Sequence, residues 1–298
     1  MSRTLSPSAH RVYGVVRVCQ ELELPRSTFY AHRARVGGPP RPEAKRGPRT
    51  RHSDAELTEA IREVLASSPF VGEGHRKVWA RLRFAGIRSS KPRVLRLMRQ
   101  ANLLAPSRAK RVLGPRNHDG TITTERPDTM WGTDMTTTYT LEEGPAAVFI
   151  AVDHCTAEGV GIHAAKHGTR FEALEPIRQG VRERFGDYRE DIAFGLQLRH
   201  DHGSAFMSDH FQEEIRFLGM ESSPAFVRAP EGNGCAERFI RTLKEQLLWV
   251  RTFRTVEELR QALLTWLKVY NEQWLIERHG HRSPAQVRRD LLASEVAA

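Results

Sequence analysis

An α/β layer fold with a mixed sheet, preceded by small all-α modules, is what this sequence predicts. Three observations carry the prediction. Near residue 127 the spacing of apolar residues changes from a helical period to alternation. Behind that point three strand-like segments follow one another before helix and strand alternate, the order of a mixed sheet covered by helices. The charge divides at almost the same place: residues 1 to 125 hold 25 Lys and Arg against 10 Asp and Glu, a balance of +15, and the rest holds 21 against 26, a balance of −5. A basic front joined to a slightly acidic back suggests a front that grips a polyanion and a back that does something else.

The first segment, RVYGVVRVCQELELPRSTFYAHRAR (11–35), reads as two short helices about a tight break. Val12, Val15, Val16 and Cys19 share one helical face, and Pro25 opens the second helix at a position where its missing N–H costs nothing. That helix displays Arg26, Ser27, Thr28, Tyr30 and Arg33. Residues 1–36 therefore have the shape of a helix-turn-helix whose second helix enters a major groove, or of a plain helical hairpin with solvated arginines. The Gly-, Pro- and Arg-rich stretch 37–53 has no apolar period and is a linker. Three more helices, 54–69, 74–86 and 89–104, carry apolar residues at helical spacing, among them Val78 and Leu82, then Val94, Leu97 and Met98. Ser90 caps the last of them, and Arg93, Arg96 and Arg99 line it. The module 54–108 is thus a second candidate for holding and reading DNA, with a solvated charged face as the alternative. A basic linker, 109–126, follows.

The core, 127–250, begins with TMWGTDMTTTYT (129–140), an alternating strand rich in Thr and aromatic residues; AAVFIAVD (146–153) is a continuous apolar strand and GVGIHAAK (159–166) a third. Three consecutive strands read as an antiparallel meander. A helix (170–186), a strand (196–201), a helix (208–219) and a last core helix (233–250) complete it. The tail, 251–298, is helical and built on Leu259, Leu263, Trp266, Leu267 and Tyr270.

Composition excludes several classes. Of the 298 residues 39% are hydrophobic, enough for packed cores and against a disordered chain. No run approaches the ~18 apolar residues of a membrane span, and MSRTLSPSAH lacks the apolar centre of a secretory signal, so a soluble protein inside its cell is expected. Three distant cysteines, Cys19, Cys155 and Cys235, make neither a disulfide framework nor a zinc half-site.

Three acids stand where such a fold would gather them. Asp134 lies in the first strand with Thr136 on its face and Trp131, Thr133 and Met135 on the other. Asp201 ends the later strand before a His-Gly-Ser turn. Glu237 sits in the first turn of a helix entered through EGNG, with Asn233 as the expected cap. Such a trio suits phosphodiester cleavage and transfer with two divalent ions, Mg2+ or Mn2+, one carboxylate bridging both and the others holding one each. Arg241 and Lys244 fall on the face of Glu237, while Ala236, Phe239, Ile240, Leu243 and Leu247 form the buried side. Taken singly each acid has a local reading: a turn residue, a helix-dipole partner, or half of a helical ion pair. Asp153, ending the second strand, competes on the same grounds.

These segments, MWGTDMTTTYT, RHDHGSAFMSDHFQEEIRFLG and EGNGCAERFIRTLKEQ, with thirty-five residues between the last two acids, closely resemble the Asp-Asp-Glu core of retroviral-integrase-like transposases. The nearest resemblance is to the second-reading-frame product of the insertion-sequence-three family. GHRKVWARLRFAGIRSSKPRVLRLMRQANLLAP resembles the helix-turn-helix that precedes that core, and YNEQWLIERHGHRSPAQVR the family's C-terminal signature. The resemblance implies an RNase H-like fold, Asp134, Asp201 and Glu237 as metal ligands, and Lys244 near substrate DNA. Two places depart from the family: His202 follows Asp201 where Asn is common, and Trp274 and Ile276 stand where Arg and His are common.

The expected activity is that of a DNA transposase: binding of terminal inverted repeats, strand cleavage to free a 3′ hydroxyl, and joining of that hydroxyl to another phosphodiester. Asp134 is the expected bridging ligand of two Mg2+ or Mn2+ ions, and Lys244 and Arg241 position phosphate. Arg93, Arg96, Arg99, Arg26 and Arg33 are the expected contacts to double-stranded DNA, both element ends and target. Self-association on DNA and an upstream-frame DNA-binding protein or fusion partner are expected, with no membrane partner and a bacterial cytoplasmic, nucleoid-associated location. The rivals are a catalytically silent repressor of transposition and an RNase H-type nuclease.

Overall fold

The computed structural model describes residues 3–37, 51–106, 122–225 and 233–296. Residues 38–50 of the first expected linker, 109–121 of the basic linker and the Glu231-Gly232 entry to the last core helix lie outside the described residues. The chain divides into two compact units, Met1–Arg51 and His52–Ala298.

In the first unit, α1 (Gly14–Glu21) and α2 (Arg26–Gly37) are two short helices. The Pro25 carbonyl accepts the N–H of Thr28 and of Phe29 to start α2, and Cys19 is the buried residue of α1. Arg26 and Arg33 are exposed on α2.

The second unit opens with three helices, α3 (Asp54–Ser67), α4 (His75–Phe84) and α5 (Lys91–Gln100). Leu57, Ile61, Val78, Leu82, Val94 and Met98 close between them as a small core of their own. Ser53 and Glu56 cap α3 reciprocally: the hydroxyl accepts the Glu56 N–H at 3.2 Å and the carboxylate accepts the Ser53 N–H at 2.7 Å. Such a cap contributes about 1 kcal/mol. Ser90 caps α5 through the N–H of Arg93.

A five-stranded sheet follows. β1 (Met130–Thr140), β2 (Gly144–Asp153) and β3 (Gly159–Ala165) pair antiparallel in sequence order. The chain then returns through α6 (Arg170–Phe185) to β4 (Gln197–His200), parallel to β1, and through α7 (Asp209–Phe217) to β5 (Glu221–Pro224), parallel to β4. The order β3-β2-β1-β4-β5 with these directions is an RNase H-like sheet.

Both faces of the sheet are covered, which is why β2 reads as a continuous apolar run. Val148, Ile150 and Val152 point into one core, and Ala147, Phe149 and Ala151 into the other. α6 and α7 pack over the second. The first is covered by α8 (Gly234–Leu243), by the π-turn Lys244–Leu248 that continues it, and by α9 (Val256–Gln273). Residue 250 is therefore no packing boundary: α8 alone leaves apolar sheet exposed, and Leu259, Leu263, Trp266 and Tyr270 of α9 cover it. α10 (Pro284–Val296) ends the described chain. Its Arg288 pairs with Asp128 at the entry to β1. No helix among the described residues is long and apolar enough to cross a membrane.

Candidate active site and nucleic-acid interface

Two carboxylates follow the paired stretch of neighbouring strands. β1 and β4 pair at a constant offset of 67 positions, Met130 with Gln197 and Gly132 with Arg199, and the same offset relates Asp134 to Asp201. Side-chain alternation then selects the face. Asp134 pairs with Ile150, which points into the core under α8, and cross-strand partners share a face. Asp201 follows the last residue of β4 and is exposed, near enough for its charge to act on Asp134. Asp201 also closes a turn, its Oδ1 accepting the N–H of Gly203 at 2.7 Å. Before it, the buried His200 has Nδ1 2.7 Å from the Asp201 carbonyl oxygen, so Nδ1 carries the proton and Nε2 accepts from the Ser222 hydroxyl at 2.9 Å.

α8 supplies the third acid. Cys235, Ala236, Phe239, Ile240 and Leu243 are its buried residues, and Glu237 stands exposed in the first turn. The electrostatics of Asp134 register all of these neighbours. Burial first of all pushes its carboxyl up to about 6; the N–H of Met135 opposes this, Asp201 and Glu237 add to it with their negative charge, and the Lys244 ammonium lowers it. Lys244 thus acts on the acid site from the end of α8. Arg241 is engaged elsewhere, its Nε 3.1 Å from the Glu245 carboxylate.

Among the described residues no three carboxylate, imidazole or thiol groups converge closely enough to hold a metal ion. The donor set does have the chemistry of a hard divalent cation site: carboxylate oxygens only, one of them half-buried and slow to ionise without a positive charge nearby. Asp153 is occupied otherwise. It is fully buried, and it accepts the N–H and hydroxyl of Thr156 at 2.7 Å and the N–H of Asp128 at 3.0 Å.

Asn233 departs from its expected role. It holds the N-cap position of α8 but makes no side-chain cap bond. Instead its Nδ2 donates to the carbonyl of Thr133 at 2.9 Å, one residue before Asp134. The amide reaches the strand because position 132 is glycine: a Cβ there would lie 2.7 Å from Asn233 Oδ1 and 2.6 Å from His154 Nε2. An Asn ahead of a helix reads as a cap, so the sequence carries no signal of this bond.

The arginines of α5 are placed differently from the expectation. Arg93 Nε and Nη2 lie 2.9 and 2.7 Å from Asp54 Oδ1, and Arg96 Nη2 lies 2.9 Å from Oδ2. They fasten α5 to the start of α3, and Arg96 first, then Arg93, hold the Asp54 carboxyl down at about 2. Arg99 is exposed.

Residues 52–111 match the family described as an HTH-like domain, and residues 218–284, which include Glu237 and Lys244, match the integrase core domain. Among curated relatives, transposase InsD for insertion element IS2D and transposase InsD for insertion element IS2A/D/F/H/I/K, both of Escherichia coli, are 28% identical over 252 residues, covering 82% of this chain and 82% of theirs. The chain is thus similar to insertion-element transposases over most of its length. Similar solved structures are the catalytic core domain of BIV integrase, at 20% identity and TM-score 0.41 over 57% of this chain and 97% of that one, and the HTLV-2 integrase catalytic core domain in complex with magnesium, at 19%, 0.41, 55% and 97%. The RNase H-like character of the chain stands on its own strand order. One of its departures from the family pattern is also a packing site: Trp274 meets Phe70 edge-on at 4.9 Å and lies under the Lys77 ammonium, where the helical module docks on the core.

Proposed function

We propose that the protein is the DNA transposase of an insertion sequence, a polynucleotidyl transferase that binds the element's terminal inverted repeats, cleaves a strand and joins the 3′ hydroxyl to target DNA. The observation that supports this reading is that Asp134, within β1, feels the charges of Asp201, just past the end of the neighbouring β4, and of Glu237 and Lys244 on the α8 side, in a chain that matches an HTH-like domain. Asp134, Asp201 and Glu237 would hold two Mg2+ or Mn2+ ions, which when bound supply the charge that activates the attacking oxygen and stabilises the departing one. Asp134, in the middle of a strand, offers the most rigid of the three carboxylates and is the proposed bridging ligand. Lys244 places a cation beside the same carboxylates, suited to orienting a phosphate oxygen of the bound strand, and Arg241 can join it by leaving Glu245, an exposed pair that contributes little. Arg99, Arg26 and Arg33 are exposed and available to duplex DNA; Arg93 and Arg96 shape the module that presents it.

The test is to incubate the protein, alone and with the product of any overlapping upstream frame, with labelled element ends, a target plasmid and Mg2+. Joined products are the expected result. Simple degradation would indicate a nuclease, and a shifted but intact band a repressor.

A further inference from the structure

Apart from the exposed Arg99 and the contact of Arg93 and Arg96 with Asp54, the helical module turns further positive charge outward. Between the end of α4, the start of α5 and the C-terminal segment 277–281 runs an open groove of about 520 Å³ lined by Trp79, Arg83, Phe84, Lys91, Glu277 and His281. Trp79 anchors it, its indole Nε1 donating to the Ser89 carbonyl at 2.8 Å. Its ring carries two cations, Lys91 Nζ at 4.5 Å and Arg83 Cζ at 4.9 Å from the centroid. Among the described residues neither cation forms an ion pair with a carboxylate, and the one acid of the groove, Glu277, is taken by Arg76 at 2.8 and 2.9 Å. The groove is therefore cationic where it opens. Phe84, 65% exposed, extends the wall outward.

We propose that this groove takes the phosphodiester backbone of duplex DNA, with Arg83 and Lys91 as the phosphate-binding cations and Trp79 as the rigid platform that holds both. The proposal rests on the transposase reading above and adds to it a site assembled from the helical module and the C-terminal segment. Its position fits the docking of a helix pair on DNA: the first helix crosses the backbone while the second lies in the groove, and Arg83 ends the first as Lys91 begins the second. Lys91 is also the first residue of a capped helix, so a phosphate there meets the positive end of the helix dipole as well as the ammonium.

Backbone contacts are independent of sequence, so a fluorescein-labelled duplex of mixed sequence serves as probe. The affinity of the full chain is measured by anisotropy over a range of salt concentrations, for the wild type and for the double variant Arg83→Gln, Lys91→Gln. Each phosphate contact contributes about 0.9 to the slope of log affinity against log salt. The double variant is expected to lose about two such contacts and to bind about tenfold or more weakly at moderate salt, with unchanged helical content. If the double variant does not fold, Lys91→Gln alone is expected to lower the slope by about one. A folded variant with the wild-type slope overturns the groove and leaves the transposase reading standing. A wild-type protein that binds no duplex even at low salt overturns the transposase reading itself, and the groove with it.

Discussion

Asn233 ties two acid-bearing elements together with one amide. Its bond to the Thr133 carbonyl fixes the start of α8, and so Glu237, against the strand position next to Asp134. Replacing it with Ala orphans a buried carbonyl at a cost of about 1–3 kcal/mol. Asn233→Ala is predicted to slow strand cleavage by roughly 10–100-fold and to raise the Mg2+ concentration for half-maximal rate, with duplex binding unchanged, since supporting contacts to metal ligands act on that scale. Single-turnover cleavage across a Mg2+ series checks this; an unchanged Mg2+ dependence contradicts it. At the other end of the chain, Asp54 makes a prediction about acid stability. Its folded pKa, about 2, lies below its ordinary value of 3.8. The stabilisation it gives is thus present above pH 4 and is lost as pH falls toward 2. Asp54→Asn should lower the melting temperature of the protein at pH 7, and the gap to wild type should close over that acid window. A gap that persists at pH 2 would assign the effect to shape and not to charge.

Elements show what was legible in the sequence and what was not. The meander could be read because β1 alternates and β2 and β3 are continuous apolar runs, each a direct imprint of which faces are buried. β5 could not: Glu-Ser-Ser-Pro is a short polar edge strand whose pairing comes from β4 and leaves no hydrophobic pattern. Asp134 could be placed within a strand, Asp201 at a strand end and Glu237 in a first helical turn, but which strand neighbours β1 could not be read, because the parallel pairing of β1 with β4 leaves no mark on either strand alone. The arginines of α5 illustrate the converse. Spacing places Arg93 and Arg96 on a polar face, yet only the fold shows that Asp54 meets them. The π-turn after α8 was likewise hidden. Within it Gln246 bonds both the N–H and the carbonyl of Val71, at 2.8 and 2.9 Å, and so links the helical module to the helix that carries Lys244. Gln246→Ala is predicted to speed amide hydrogen exchange of the segment around Val71 several-fold while β1 and β2 stay protected. Equal exchange in both proteins would show that Phe70, Trp274 and Arg76 hold the dock without it.

At the scale of the whole molecule, the divided charge of the sequence acquires a physical meaning. The +15 of the first 125 residues is shared between the helical modules and their linkers, and in the acidic back burial first, and then the charges of Asp201 and Glu237, raise Asp134. Divalent cations would offset both the burial and the like charge, and bind the folded state in preference to the unfolded one. Mg2+ at saturating concentration should therefore raise the melting temperature of the wild type by a few degrees and that of Asp134→Asn by much less, as read by calorimetry in matched ionic strength. The central claim is that Asp134, Asp201 and Glu237 act as one site for phosphodiester cleavage and joining. Its most direct test is strand joining by Glu237→Gln, with a labelled element end, a target plasmid and Mg2+. Joining is predicted to fall to background while the protein still shifts the labelled end; joining at the wild-type rate would contradict the account.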